Sequence, residues 1–277
     1  MKNLSFFGLL LTLFCASTQA HSATFAERNS YRSAARLPGE DWRQSMKRLQ
    51  LAYTKVHGHR PKLSDKSAAE MAIELDQLDT TVLPMWPNSE AMNAAFDFVR
   101  DARFLVEADK KDFLRRISWL YPDDGCFARA SVGVHKLSET KLPLPYKVFI
   151  FGNLSVKTPN SPGGRVDWSY HVAPIIAVEG QAFVLDAAIN PMSPTPLREW
   201  VMTMVKDVHD ARVSICHTNT YVPDQSCLSS TAEDDDEADA DQQEYLYYEW
   251  NRLENMNRLP EKELGDEPPW KQAGSIN

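Results

Sequence analysis

Past Ala20 the sequence has no apolar run long enough to cross a bilayer. It has no excess of positive charge either. Thirty Lys and Arg against 38 Asp and Glu give a formal net charge of -8, which argues against nucleic acid and against an anionic membrane surface as partners. It has no internal repeat. The acidic run over 233–241 lacks the glycine and the ligand spacing of a calcium loop and reads as a solvated loop. His57 and His59 are two candidate ligands in a basic loop, too few for a metal site. No metal and no cofactor is expected. Cysteine is scarce as well, with four in 277 residues.

The amino terminus is different. A short positive start, an apolar stretch over 4–15 too short to span a membrane, and small residues at Thr18 and Ala20 mark a secretory signal peptide. Phe14 before Cys15 argues against a lipoprotein. Residues 1–20 therefore read as a leader cut after Ala20, and the mature protein is expected to be soluble, in the periplasm or outside the cell. Losing the leader removes Cys15 and leaves Cys126, Cys216 and Cys227. An odd count in an exported chain suggests one pair and one free thiol. Cys216 and Cys227 are near enough in sequence to close a short loop. Cys126 is then left over, and a free thiol in an oxidising compartment needs a reason.

Residues 21–80 read as a helical region of mixed charge, with helices over 41–56 and 67–78, the second capped at Ser64 or Ser67. A proline-bounded junction marks a boundary there, and 81–277 form the main domain. Within it, 88–105 is an amphipathic helix with Ala91, Ala94, Ala95, Phe98, Val99 and Ala102 on one face, and 110–120 is another helix. Strands follow over 146–154, 166–178 and 181–185, the last two joined by a turn at Glu179-Gly180. A helix over 196–206 faces Leu197, Trp200, Val201, Met204 and Val205 inward. A strand over 211–216, a helix over 242–259 and a disordered tail after Pro260 complete the order. Helices followed by an antiparallel sheet give an α+β domain.

The chemistry centres on 121–130, Tyr-Pro-Asp-Asp-Gly-Cys-Phe-Ala-Arg-Ala. Four turn formers precede Cys126, and Phe127, Ala130, Val134 and Leu137 recur at helical spacing after it. Cys126 thus starts a helix, where the macrodipole and unpaired N–H groups favour a thiolate and can hold an oxyanion. On position alone a small buried hydrophobe is the better reading of this cysteine. Two further residues alter the balance. With Glu179-Gly180 as a two-residue turn, Val178 faces Gln181, and Asp186 falls opposite Ala173, two residues from His171 on the same side of the strand. That is within reach of an imidazole–carboxylate hydrogen bond, unless a bulge at Pro174 shifts the pairing. Alone, His171 beside Trp168 and Tyr170 is a core histidine. With the free thiol and the carboxylate it completes a nucleophile, base and orienting acid: Cys126, His171 and Asp186.

Several segments carry a resemblance: 121–130, Val-Phe-Ile-Phe-Gly-Asn-Leu at 148–154, Trp-Ser-Tyr-His-Val-Ala at 168–173, Val-Leu-Asp at 184–186 and Glu-Tyr-Leu-Tyr at 244–247. In this order they resemble the bacterial protein-glutamine glutaminases, secreted protein deamidases, and the stretch from Trp86-Pro87 to Phe98 is similar to the start of the mature family enzyme. Position by position, the resemblance sets the family's nucleophile on Cys126, its histidine on His171 and its aspartate on Asp186. It implies a papain/transglutaminase-like core with the cysteine at a helix N-terminus packed on an antiparallel sheet carrying the histidine and the aspartate. It implies hydrolysis of glutamine side chains in proteins or peptides through a thioester, by a monomer whose site a pro-segment, here 21–80, covers in cis. The sequence departs from the family at Ala187, where a proline is expected, in the shorter pro-segment, and in the Cys216/Cys227 pattern. Three other readings stand beside it. One is transglutaminase-type transfer to a lysine amine. The others are a papain-like peptidase and a binding module with an inert cysteine.

Overall fold

The structure, a computed structural model, describes residues 30–229 and 235–273. The leader expected over 1–20 lies outside them. Asp41 caps α1 (Trp42–His57): its carboxylate accepts from the Gln44 N–H while the Gln44 side chain accepts from the Asp41 N–H. Ser67 and Glu70 build the same reciprocal cap on α2 (Ala68–Met71). The helix expected over 67–78 ends there, because Ile73 exchanges both backbone hydrogen bonds with Val213. A single 3₁₀ turn, Leu75–Gln77, follows.

The order then runs β1 (Met85–Trp86), α3 (Ser89–Asp101), β2 (Leu105–Val106), β3 (Leu114–Arg115), α4 (Cys126–Leu137), β4 (Tyr146–Lys157), β5 (Arg165–Val178), β6 (Gln181–Val184) and β7 (Thr195–Pro196). After these come α5 (Leu197–Met204), β8 (Ala211–Cys216), α6 (Asp235–Asn255), α7 (Pro260–Glu263) and α8 (Pro269–Ala273). The central sheet has the antiparallel order β7-β6-β5-β4-β8, with β1 added parallel to the end of β5. Helices flank it, so the class is α+β. No helix among the described residues is long and apolar enough to cross a membrane.

The β5–β6 hairpin has the expected register: Val178 faces Gln181 and Ile175 faces Val184. Glu179 and Gly180 both have positive φ, as a two-residue turn matched to strand twist needs. The bulge lies instead in β4 between Phe151 and Leu154. Gly152 sits in it, where a Cβ would stand 2.9 Å from the Asp210 carbonyl oxygen. The β4 bulge turns Asn153 outward, and its side-chain oxygen accepts from the Trp42 N–H at the start of α1.

Four further expectations are corrected. The buried face of α3 is Met92, Ala95, Phe96 and Val99, while Phe98 is 40 % exposed; this face packs on α4, where Val99 lies beside Gly133. Residues 110–120 are not a helix. Arg115 is fully buried and bonds Glu107 and Glu249, and the Leu120 N–H donates to the Glu249 carboxylate at 2.6 Å. Partners on another element outweigh the helical spacing. The acidic run is helical from Asp235 onward, and Asp241 is buried, accepting from Arg32 and from the Tyr221 hydroxyl. Beyond Pro260 the chain is ordered through α7 and α8, with Leu264 and Trp270 buried and Arg116 donating to the carbonyls of Leu264 and Gly265.

Residues before the junction share the core: Ala34, Met46, Leu49 and Ala68 pack with the sheet and α4. Cys216 and Cys227 are bonded to each other, across a separation of 11 residues. Replacing both by serine should lower stability by about 2–4 kcal/mol, since the bridge restricts the unfolded chain. Urea unfolding followed by tryptophan fluorescence measures it, and an unchanged midpoint would contradict it.

Candidate active site

The turn before α4 is held from three sides. Gly125 has φ 82 and caps the helix without a side chain. A Cβ there would lie 2.7 Å from the Tyr245 ring of α6, so the position demands glycine twice over. Asp124 accepts from the N–H groups of Ala34 and Gly125. Arg129, one turn into α4, donates to the carbonyls of Tyr121 and Asp124. The Trp168 indole N–H donates to the carbonyls of Pro122 and Asp123. Cys126 is the first residue of α4, and the opening N–H groups of such a helix have no partner within it.

His171 stands in the middle of β5, 1 % exposed. Its Nε2 and Asp186 Oδ2 are 2.7 Å apart. The same carboxylate oxygen accepts the Trp200 indole N–H at 3.0 Å, and Oδ1 accepts from the Ala188 N–H. The Trp168 ring stacks on the imidazole at 4.7 Å between centroids and 10° between planes. The ring is thus fixed in plane and in position. His171 Nδ1 is buried with no hydrogen-bond partner among the described residues. With the proton on Nε2 toward the carboxylate, Nδ1 carries the lone pair that could take a proton from a nucleophile.

Burial would raise Asp186, but the His171 charge and hydrogen bond, with the Trp200 N–H, hold it below the ordinary carboxylate value. Cys126 behaves in the opposite way. It is 2 % exposed and free of disulfide bonding. Burial pushes its thiol up to about 12, against Arg129 and a hydrogen bond from the Val172 backbone. The expected lowering by the helix terminus is overcome by desolvation in this conformation. The Val172 bond brings the sulfur to the residue after His171, yet the thiol does not hydrogen-bond Nδ1.

Residues 32–36 form a strap next to this site. They run antiparallel beside β5: Ser169 N–H donates to the Ala34 carbonyl, Arg36 N–H to the Asp167 carbonyl, and the Tyr170 hydroxyl to the Arg32 carbonyl. The Arg32 guanidinium is buried and bonds Asp241 and Glu237 of α6. This strap crosses the Cys126 turn at Asp124. Sequence reasoning did not find it, nor the roles of Trp200, Arg129 and Tyr245. Trp200 was legible only as an inward apolar position, and nothing in its spacing marks a carboxylate partner. No group of three or more side chains among the described residues is placed to hold a metal.

Residues 92–204, which contain Cys126, His171 and Asp186, match the family profile described as glutaminase, Gln_deamidase_2. The match spans less than half of the chain. Among solved structures, pro-protein-glutaminase is 21 % identical with a TM-score of 0.43, covering 58 % of this chain and 59 % of its own. A protein-glutaminase structure is 23 % identical at TM-score 0.43, covering 55 % and 84 %. That of protein-glutaminase from Chryseobacterium proteolyticum is 22 % identical at 0.43, covering 53 % and 82 %. The chain thus spans 59 % of the length of pro-protein-glutaminase. No curated protein matches the sequence.

The turn generates a direct test. Gly125→Ala should cost about 2–4 kcal/mol, from positive φ and from overpacking against Tyr245. Adding Tyr245→Ala should recover part of the overpacking loss in a double-mutant cycle. Strict additivity of the two substitutions in chemical denaturation would contradict the contact.

Proposed function

We propose that the protein is a protein-glutamine glutaminase, hydrolysing glutamine side-chain amides in proteins or peptides to glutamate and ammonia, with Cys126, His171 and Asp186 as its catalytic residues. The observation that carries this reading is the buried His171–Asp186 pair with a vacant Nδ1, beside a free cysteine that opens a helix, within a region that matches the glutaminase family profile. The arrangement of helix, strand and hairpin supports a papain/transglutaminase-like core.

In the working form Cys126 gives its proton to His171 Nδ1, and the thiolate attacks the glutamine Cδ. First-turn N–H groups of α4 hold the oxyanion. The imidazolium, steadied by Asp186, protonates the leaving ammonia and a thioester remains. Water then gives up a proton to His171 and attacks the thioester, releasing glutamate and the thiol. Trp168 keeps the imidazole in plane and Trp200 keeps the carboxylate turned toward it. Water rather than a lysine amine is the acceptor in this reading, which rests on the family.

The buried site and the neutral thiol support a latent form. In this reading residues 21–80 are a pro-segment of an exported chain, and the strap over 32–36 must leave before substrate enters. The exposed loop over 57–60 is the place for a protease to act.

Ammonia release from casein tests the whole scheme. Wild type should release ammonia with glutamate formed, and more after limited proteolysis at that loop. Cys126→Ala should release none, and Asp186→Asn should lose about 10²–10⁴-fold in kcat. Crosslinked product would move the assignment to acyl transfer. New fragments without ammonia would make it a peptidase. Wild-type activity in Cys126→Ala would refute the mechanism.

A further inference from the structure

An open cleft of about 1210 Å³ lies between the first turn of α1, the paired ends of β4 and β5, and the segment after α5. Its charge runs against that of the chain. Its walls carry Arg36, Arg43, Lys157, Arg165, Lys206 and Arg212, against the carboxylates Asp167 and Asp210, while the whole sequence has a net charge of -8. Some of this positive charge is answered locally. Arg212 pairs with Glu74 at 3.1 Å, and Arg36 and Arg165 share Asp167 at 3.8 and 3.4 Å. Lys157, Lys206 and Arg43 form no ion pair among the described residues, and the Arg43 guanidinium lies 4.6 Å over the Trp42 ring. All three are exposed.

The cleft adjoins a second hollow beside the Asp186 turn. It shares Val156, Lys157 and Ile189 with this hollow of about 360 Å³. That hollow is lined by Ala187 and Ala188, which follow Asp186, and by Trp119 and Leu120, which precede the cysteine turn. Ile189 itself donates its N–H to the Asp186 carbonyl at 3.2 Å. On the other side, Asp167 at the cleft wall is the residue before Trp168, which stacks on His171. A polypeptide lying in the cleft would enter along β5 and the Asp186 turn.

From this we infer that the cleft selects substrates whose target glutamine is flanked by acidic residues, a specificity that rests on the glutaminase reading above. A chain of net negative charge repels acidic polypeptides at long range, so a local reversal of sign beside the site gives them one place to dock. The exposed Met202 in the same walls adds apolar surface suited to a peptide. Lys157, Arg165, Lys206 and Arg212 all lie beyond residue 80, so most of the charge stays if 21–80 is removed.

Binding is read apart from turnover, using full-length Cys126→Ala, before and after clipping at the 57–60 loop, and two dye-labelled peptides. Each has a central glutamine, one flanked by glutamates and one by lysines. Fluorescence anisotropy should show the acidic peptide binding at least about ten-fold tighter at low salt, with the difference shrinking as salt screens it. Lys157→Glu with Lys206→Glu, checked by its melting temperature, should abolish that preference and raise KM for acidic substrate in the active enzyme. An undiminished preference in this folded double variant would overturn the inference. So would equal binding of both peptides, or tighter binding of a single-stranded oligonucleotide of matched charge. Acidic preference in binding without ammonia release would sink the glutaminase reading and leave the cleft's selectivity standing. Ammonia release without the preference would do the reverse.

Discussion

A turn that admits only glycine, pressed against an aromatic ring, decides where the cysteine stands. Gly125 takes positive φ, and the Tyr245 ring occupies the space a Cβ would need. With that turn fixed, Cys126 opens α4, and the carbonyls of Tyr121 and Asp124 are drawn back to Arg129. The Pro122 and Asp123 carbonyls meet Trp168, and Trp168 in turn stacks on His171. One local constraint therefore aligns the helix that carries the thiol with the strand that carries the imidazole. The motif and the tyrosine of α6 lie far apart in sequence and function as one unit.

Two opposing electrostatic effects act on the thiol. A helix N-terminus favours the anion by roughly 0.3–1 kcal/mol at exposed sites. Complete burial opposes the charged form more strongly, and here burial wins. Asp186 is buried too, but it bonds His171 and accepts from two further donors, and its anion is kept. The His171–Asp186 pair is thus held by charge and hydrogen bonds, while burial keeps the Cys126 thiol neutral. Arg32 anchors the strap over 32–36 to α6 through Asp241 and Glu237, and removing Arg32 would leave the buried Asp241 carboxylate without its ion pair.

Much of this site could be read from sequence because its parts are local. A two-residue turn at Glu179-Gly180 sets the hairpin register, and the register puts Asp186 near His171. Turn formers before Cys126 and apolar spacing after it define α4. Elements that depend on distant partners could not be read this way. Residues 110–120 have helical spacing, yet Arg115 and Leu120 are captured by Glu249. The acidic run looks solvated until Arg32 binds Asp241. Trp200 looks like core packing until Asp186 meets its N–H. In each case a side chain more than a dozen residues away decides the outcome.

The most direct test of a prepared but latent site is the rate of Cys126 alkylation by iodoacetamide as a function of pH, in the intact chain and after clipping at the 57–60 loop and release of the amino-terminal fragment. A thiol whose folded value is raised stays neutral until the pH climbs well past the ordinary thiol value near 8.5. The intact chain should therefore react very slowly at neutral pH and speed up only in strong alkali. The clipped chain should react readily near neutrality, with a titration shifted below the ordinary value by the helix terminus and His171. Rapid alkylation of the intact chain at neutral pH, or identical profiles for the two forms, would contradict the account.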